Sequence, residues 1–249
     1  MSEQGQLIAW AVLSLALPVG WAWRQSRLAK AGTEPGLAEQ WLNSAARFFY
    51  GVGLPYLALI TGAVAPRFLG LKGLENLAAL PWRGDVATWF IDLQKAAALI
   101  LLECLADSGA MIKAGLAALL LLAGIRLGLA RLSLALPVST SSIGEIVFEG
   151  LHWAFYRAIF WIVTGDLYLG VVWGTVWTLG EWTLVAWVQP EGPLQKPQLL
   201  MKAMILIVTS TLFFYVPNLW LLWPLQGMMV VLLTLPYPAS PEFKKQISV

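Results

Sequence analysis

The sequence predicts an all-α integral membrane protein, a polytopic transmembrane helical bundle of about seven or eight spans. Two observations lead to this fold class. Hydrophobic residues make up 59% of the 249 residues and charged residues only 12%, whereas soluble domains carry about 25% charged residues. The hydrophobic residues also fall into runs, most of them near the length of about 20 residues that a helix needs to cross the hydrocarbon core. Residues 1–249 are therefore expected to form a single integral membrane domain.

The predicted spans are expected to be helical, because every backbone N–H and C=O group must be paired in lipid. In chain order they are Leu7–Trp23, Phe48–Ala65, Ala87–Leu105, Ala114–Leu129, Ile143–Val163, Leu167–Val188, Leu199–Val216 and Leu219–Leu235. No basic residue precedes the first span and no small-residue cleavage site follows it, so we expect it to be retained. The polar tail 236–249 is expected to be extended. Helical spans are typical of a cytoplasmic-type membrane, that is, an inner or plasma membrane.

Two polar segments between spans show helical spacing of their apolar residues. In the segment Arg24–Arg47, the residues Leu37, Trp41 and Ala45 recur on one helical face. The segment Arg67–Asp85 has leucines at similar spacing. An amphipathic helix of this kind lies in the membrane interface with its apolar face in the lipid. The sequence therefore predicts one or two interfacial helices.

Two short polar connections, Asp107–Lys113 and Thr164–Asp166, each predict an antiparallel helical hairpin. The orientation of a membrane protein is predicted from its basic residues, because Lys and Arg are enriched on the cytoplasmic side. Basic residues follow the first span, and Lys244 and Lys245 lie in the tail. Eight spans would place both termini on one side, so these two cues conflict and the orientation stays open.

The charged residues, cysteines and histidines exclude several functional classes. The net charge is only +2, and there is no basic run of the kind that nucleic-acid binding requires. The one cysteine, Cys104, excludes a disulfide framework and a cysteine-rich metal site. The one histidine, His152, excludes every site that needs two imidazoles. We therefore expect membrane lipids and other membrane subunits as partners, and no nucleic acid.

Inserting a charged side chain at the centre of a membrane helix costs about 2.5–3.5 kcal/mol of free energy. Charged residues within the spans therefore need partners. The third span carries Asp92 and Asp107 on one polar stripe, and the fourth carries Lys113 and Arg126. Folding this hairpin about Gly109 would bring Arg126 level with Asp92 and Lys113 near Asp107. We therefore predict two interhelical ion pairs here. A proton or ion path along the same stripe is the alternative.

The fifth span carries the most informative polar face. Its residues Glu145, Glu149, His152 and Tyr156 stand at i, i+4, i+7 and i+11, within about 60° of arc on a helix. Folding the next hairpin about Gly165 would bring Glu181 level with Glu149, with Gly150 permitting a close approach. Two or three carboxylates and the only imidazole are therefore expected to converge.

Two interpretations of this face come from the residues alone. The first is structural: Ser142 and Glu145 form a capping box, Arg157 pairs with Asp166 or a lipid headgroup, and Glu149 pairs with His152. The second is a metal site. Glu149-x-x-His152 is the Glu-x-x-His element of di-iron carboxylate bundles, although a second copy is missing. A single metal ion would need Glu145, Glu149, His152 and Glu181 as ligands.

A third interpretation comes from the segment Gly144–Gly150, which reads Gly-Glu-Ile-Val-Phe-Glu-Gly. It resembles a degraded form of the Glu-Glu-x-x-x-Arg-Gly signature of the CPBP (CAAX-processing and bacteriocin-processing) intramembrane glutamic proteases, which also have about eight helices. In that family a glutamate activates water for peptide hydrolysis and later histidines support it. Glu145 matches the second glutamate, whereas Gly144 replaces the first and Glu149 replaces the arginine. Because the later histidines are absent, the resemblance implies shared ancestry and a lost active site.

Tryptophans and small residues are concentrated in the fifth and sixth spans. The tryptophans there either anchor and pack the helices or form a surface for a pigment, quinone or lipid tail. Gly170-x-x-x-Gly174 supplies a small-residue face for close packing, within the bundle or against a partner. The tryptophans concerned are Trp153, Trp161, Trp173, Trp177, Trp182 and Trp187.

The residues together favour a non-catalytic membrane protein, an accessory or structural subunit of a larger membrane complex. The alternative is a CPBP-like homologue or a metal-dependent membrane enzyme centred on Glu145, Glu149 and His152. A transporter is the third interpretation, since Pro18 and Pro224 kink their helices. The sequence specifies no cofactor, substrate, named partner or bound pigment.

Overall fold

The computed structural model describes residues 3–31, 36–78, 85–131, 143–189 and 196–234, and within these ranges every regular element is helical. The prediction of an all-α bundle is therefore confirmed. Three helical segments, Gln4–Lys30, Val86–Leu129 and Gly144–Thr164, are long and apolar enough to cross a membrane, and shorter apolar helices accompany them. The helices are α1 (Glu3–Lys30), α2 (Leu37–Phe48), α3 (Leu54–Ile60), α4 (Leu74–Ala78), α5 (Val86–Arg131), α6 (Ile143–Thr164), α7 (Leu167–Val188), α8 (Lys196–Tyr215) and α9 (Leu219–Thr234).

The predicted second span, Phe48–Ala65, is not a single regular helix. A π-helical turn, Phe49–Gly53, joins α2 to α3, and the backbone stays helical through both junctions. The helix ends at Ile60, and Gly62 follows with a φ of 73°. Residues 37–60 thus form one continuous helical segment that begins in the predicted interfacial segment.

The predicted hairpin about Gly109 is wrong, because α5 continues through it as one helix of 46 residues. The segment Asp107–Lys113 contains no proline and no left-handed residue, and a glycine inside a helix costs only about 1 kcal/mol. At 1.5 Å per residue, Asp92 and Arg126 are about 51 Å apart along the axis. The two predicted ion pairs of this hairpin therefore do not form.

The second predicted hairpin, between α6 and α7, is present. Gly165 adopts a φ of 70°, and the Asp166 side chain accepts a hydrogen bond of 2.8 Å from the Leu169 N–H at the start of α7. Beyond the turn, a Cβ on Gly170 would lie 2.6 Å from the Trp161 backbone, and one on Gly174 would lie 2.7 Å from the Arg157 backbone. The small-residue face therefore packs within the bundle, against α6.

The predicted interfacial helix at Leu37–Phe48 has the expected surface. Leu37, Trp41 and Ala45 are exposed on α2, and no residue of this helix is buried. The second predicted interfacial segment differs, because Leu69 and Leu71 are buried in the core. The Leu219 N–H donates a 2.7 Å hydrogen bond to the Gly70 carbonyl, which holds this segment inside the bundle.

Helix α6 lies at the centre of the bundle. Its residues 152–159 are all buried, and it contacts α1, the π-helical turn, α7 and α9. Two tryptophans of the fifth and sixth spans, Trp153 and Trp182, pack edge to face with ring centroids 5.9 Å apart. Trp173 and Trp187 are instead exposed. The polar face of α6 is therefore placed where several helices meet.

Candidate functional site

The candidate site is a buried group of polar side chains, here called the polar cluster, that comprises Ser14, Tyr50, His152, Tyr156 and Glu181. Its centre is the Glu181 carboxylate on α7, which is only 3% exposed. The Tyr156 hydroxyl of α6 donates a 2.5 Å hydrogen bond to Glu181 Oε2. The Tyr50 hydroxyl donates to the other oxygen, Oε1. Both carboxylate oxygens therefore have a donor.

The His152 ring completes the cluster. Its Nδ1 lies 3.0 Å from the Tyr50 carbonyl oxygen, and because a carbonyl only accepts, Nδ1 carries the proton. Its Nε2 lies 3.4 Å from Ser14 Oγ on α1 and 3.8 Å from Glu181 Oε2. The ring also packs on the Tyr50 ring, with centroids 3.8 Å apart. One imidazole thus connects α1, the π-helical turn, α6 and α7.

The π-helical turn explains how Tyr50 enters the cluster. The Leu54 N–H bonds to the Phe49 carbonyl five residues back, which shifts the usual ladder of helical hydrogen bonds. Such turns are frequent at functional sites. Gly51 fits the close contact with α6, because a Cβ there would lie 3.0 Å from Phe148 Cβ. Sequence reasoning missed Tyr50, and a tyrosine followed by Gly51-x-Gly53 was the available signal.

The predicted site residues are only partly brought together. The hairpin about Gly165 brings Glu181 to the polar face of α6, as expected, but beside His152 and Tyr156 and not level with Glu149. Glu149 instead forms an ion pair with Lys202 of α8, and Glu145 is exposed, with an oxygen 3.8 Å from an Arg47 nitrogen. Glu145, Glu149 and His152 share one face of α6, but each contacts a different neighbouring element.

The proposed metal ligands, which are Glu145, Glu149, His152 and Glu181, do not converge on one point in the described structure. Among the residues that the structure describes, no group of three or more His, Cys, Asp or Glu side chains is placed to hold a metal ion. The proposed capping residue Ser142 lies outside the described residues. What the polar cluster does provide is a hydrogen-bonded connection among four helical segments.

The charged side chains of α5 form contacts other than the predicted ion pairs. Asp107 accepts hydrogen bonds from Lys72 Nζ at 2.7 Å and Asn218 Nδ2 at 2.9 Å. Asp92 pairs with Lys95 one turn along the same helix, at 3.2 Å. Arg126 Nη1 donates a 2.6 Å hydrogen bond to the Leu232 carbonyl of α9. The carboxylate of Asp107 therefore ties α5 to the loop before α4 and to the start of α9.

Arg157 does not pair with Asp166, contrary to one interpretation of the sequence. Its side chain is 1% exposed, and its guanidinium carbon lies 4.4 Å from the centre of the Phe213 ring. Nη1 lies 3.5 Å from the Thr209 carbonyl, while Nε and Nη2 have no hydrogen-bond partner within the described ranges. Asp166 is instead the N-cap of α7.

A cavity of about 560 Å³ adjoins the polar cluster at Tyr50. Its walls come from α1, α2, the π-helical turn and the end of α7. Gln25 of α1 donates a 2.7 Å hydrogen bond to Asn43 of α2, and Arg24 bonds to Glu39, which holds the pKa of Glu39 below its usual value. The lining residues are Leu17, Pro18, Trp21, Ala22, Gln25, Asn43, Ser44, Ala46, Arg47, Phe49, Tyr50, Val185 and Gln189.

Comparisons with protein-family models, with curated proteins and with solved structures found no match for this chain. The resemblance of Gly144–Gly150 to the CPBP signature therefore rests on these residues alone. In the structure, Glu145 faces Arg47 and Glu149 faces Lys202. The histidine, His152, lies beside Glu181.

Proposed function

We propose that this chain is a non-catalytic accessory subunit of a membrane protein complex, and that the outer surface of α5 contacts another subunit. The observation that carries the proposal is the length of this surface. Large apolar side chains are exposed from Phe90 to Leu127, which is about 55 Å along the helix axis. The hydrocarbon core of a bilayer is about 30 Å thick, so lipid covers only part of this surface unless the helix is steeply tilted.

Charges on the same surface support a protein partner over lipid alone. Glu103 and Lys113 are exposed on α5, between the exposed leucines Leu102 and Leu116. A charged side chain that faces lipid near the middle of a bilayer is costly. A neighbouring subunit with polar groups at this level lowers that cost, because charges inside a bundle pair with one another.

The polar cluster fits the same function. Its carboxylate already accepts two hydroxyl hydrogens, and its imidazole is held by a backbone carbonyl. Hydrogen-bonded networks of this kind fix the arrangement of helices. The partner is expected to be an integral membrane protein, and the host an inner or plasma membrane.

The test is purification of the tagged chain from native membranes in mild detergent, with quantitative mass spectrometry of what accompanies it. We expect a companion in fixed stoichiometry. The Leu120→Trp change keeps the α5 surface apolar but disturbs close packing, so it should reduce recovery of that companion about tenfold. The matched control, Leu13→Trp on the exposed face of α1, should recover it fully. A chain that purifies alone, or equal recovery with both variants, contradicts the proposal.

A further inference from the structure

The cavity beside the polar cluster has the composition of a site for an amphiphile. Small-molecule sites have volumes of about 300–1,000 Å³ and combine apolar walls with a few polar groups. This cavity is partly open and has a volume of about 560 Å³. The apolar wall follows α1 from Leu17 to Ala22 and continues on Phe49 and Val185. Polar lining side chains lie where α1 meets α2, and Gln189 at the end of α7 is a further polar lining residue.

The polar end is formed where α1 meets α2. Gln25, Asn43 and Ser44 line the cavity there, and Gln25 and Asn43 are hydrogen-bonded to each other at 2.7 Å. Leu17 and Gln25 are about 12 Å apart along α1. The cavity therefore offers an apolar slot followed by hydrogen-bonding groups, which is the order of groups in a single-chain amphiphile.

Arg47, four residues after Asn43 on α2, supplies a positive charge to the lining. It is the one charged residue among the described residues that line the cavity, and its side chain is 71% exposed. Its nearest contact with Glu145 is 3.8 Å, longer than the roughly 2.7–3.2 Å of a direct hydrogen bond. The guanidinium therefore remains able to form charge-assisted hydrogen bonds with a carboxylate or phosphate.

The amphipathic surface of α2 indicates that the cavity lies near the depth of lipid headgroups. Helix α2 forms one wall, and its opposite face exposes Leu37, Trp41 and Ala45. An amphipathic helix with such a face lies at the boundary between headgroups and acyl chains. An amphiphile could thus enter with its chain towards the apolar wall and its headgroup at Arg47.

We propose that this cavity binds a single-chain amphiphile with an anionic headgroup, a carboxylate or a phosphate, whose acyl chain lies along α1 from Leu17 to Ala22 and whose headgroup contacts Arg47. The proposal is independent of the subunit function, since the cavity lies at α1, α2 and α7, and the surface proposed for the partner lies on α5.

The test uses the full chain in nanodiscs of phosphatidylcholine, with a photoactivatable fatty acid and mass spectrometry to locate the label. We expect saturable labelling on the cavity walls. Unlabelled dodecanoate or dodecyl phosphate should compete, and the stronger competitor identifies the headgroup. Dodecyltrimethylammonium should compete at least about tenfold less well, because its charge is repelled by the guanidinium.

Matched variants separate the cavity from the general lipid surface. Ala46→Phe fills the cavity and should reduce saturable labelling about tenfold, whereas Ala45→Phe on the outward face of α2 should leave it unchanged. Arg47→Gln should weaken competition by the anionic amphiphiles about fivefold, and Arg67→Gln, outside the cavity, should not. Labelling that follows the exposed apolar area of α5, or equal competition by the cation, overturns the proposal.

Discussion

Two polar, glycine-containing segments were each predicted to turn a helical hairpin, and only one of them does so. At the α6–α7 connection, Gly165 has a φ of 70° and Asp166 caps the next helix. At Gly109 the helix continues, and a Cβ there would meet no atom within 4 Å. A glycine alone is therefore insufficient for a turn, which also needs a capping side chain and a surface for the returning helix.

The two regions also differ in what they do with their apolar surface. Helix α7 approaches α6 closely at Gly170 and Gly174, and the two helices bury the polar cluster between them and their neighbours. Helix α5 packs against α4, α8 and α9 but leaves many large apolar side chains exposed. The buried part of α6 is thus enclosed by this chain, whereas α5 and the outer face of α7, which exposes Trp173 and Trp187, present apolar surfaces to their surroundings.

The largest expected effect comes from adding a side chain to each region. Gly174→Leu places a Cβ 2.7 Å from the Arg157 backbone nitrogen, so α6 and α7 must separate and stability should fall by about 3 kcal/mol. Gly109→Leu should be neutral or stabilising by up to about 1 kcal/mol, because leucine favours the helix. Unfolding in detergent, followed by circular dichroism, measures both. Equal losses would mean that α5 packs more tightly at Gly109 than the structure shows.

A smaller effect is expected from neutralising one carboxylate in each region. Glu181→Gln keeps the shape but leaves one acceptor where Tyr50 and Tyr156 need two, so stability should fall by about 1–2 kcal/mol. In the isolated chain in detergent, Glu103→Gln changes an exposed side chain and should stay within about 0.5 kcal/mol. The same unfolding assay compares them. A Glu181→Gln protein as stable as the parent would show that the polar cluster is not a structural network.

The fold was predictable from the sequence to the extent that local signals determine it. The apolar runs predicted α1 and the helices from α6 to α9. The turn at Gly165 predicted that Glu181 would approach the polar face of α6, although it meets His152 and Tyr156 there and not Glu149. The remaining contacts depend on tertiary packing. Lys202 and Tyr50 come from distant segments, and no spacing within α6 indicates which neighbour faces each turn. The polar residues near Gly109 predict a loop, but they lie within α5, because a polar segment without a proline can remain helical.

The smallest expected effect tests the capping side chain at the α6–α7 turn. Asp166→Ala removes the acceptor of the Leu169 N–H and should cost about 1 kcal/mol of stability. Ser108→Ala is the control beside Gly109, where the hydroxyl donates only to the Leu105 carbonyl of its own helix, and it should be nearly neutral. Thermal unfolding in detergent measures the difference. If Asp166→Ala is also neutral, Gly165 and the close contacts at Gly170 and Gly174 are sufficient to form the hairpin, and the absence of a cap near Gly109 does not explain why α5 continues.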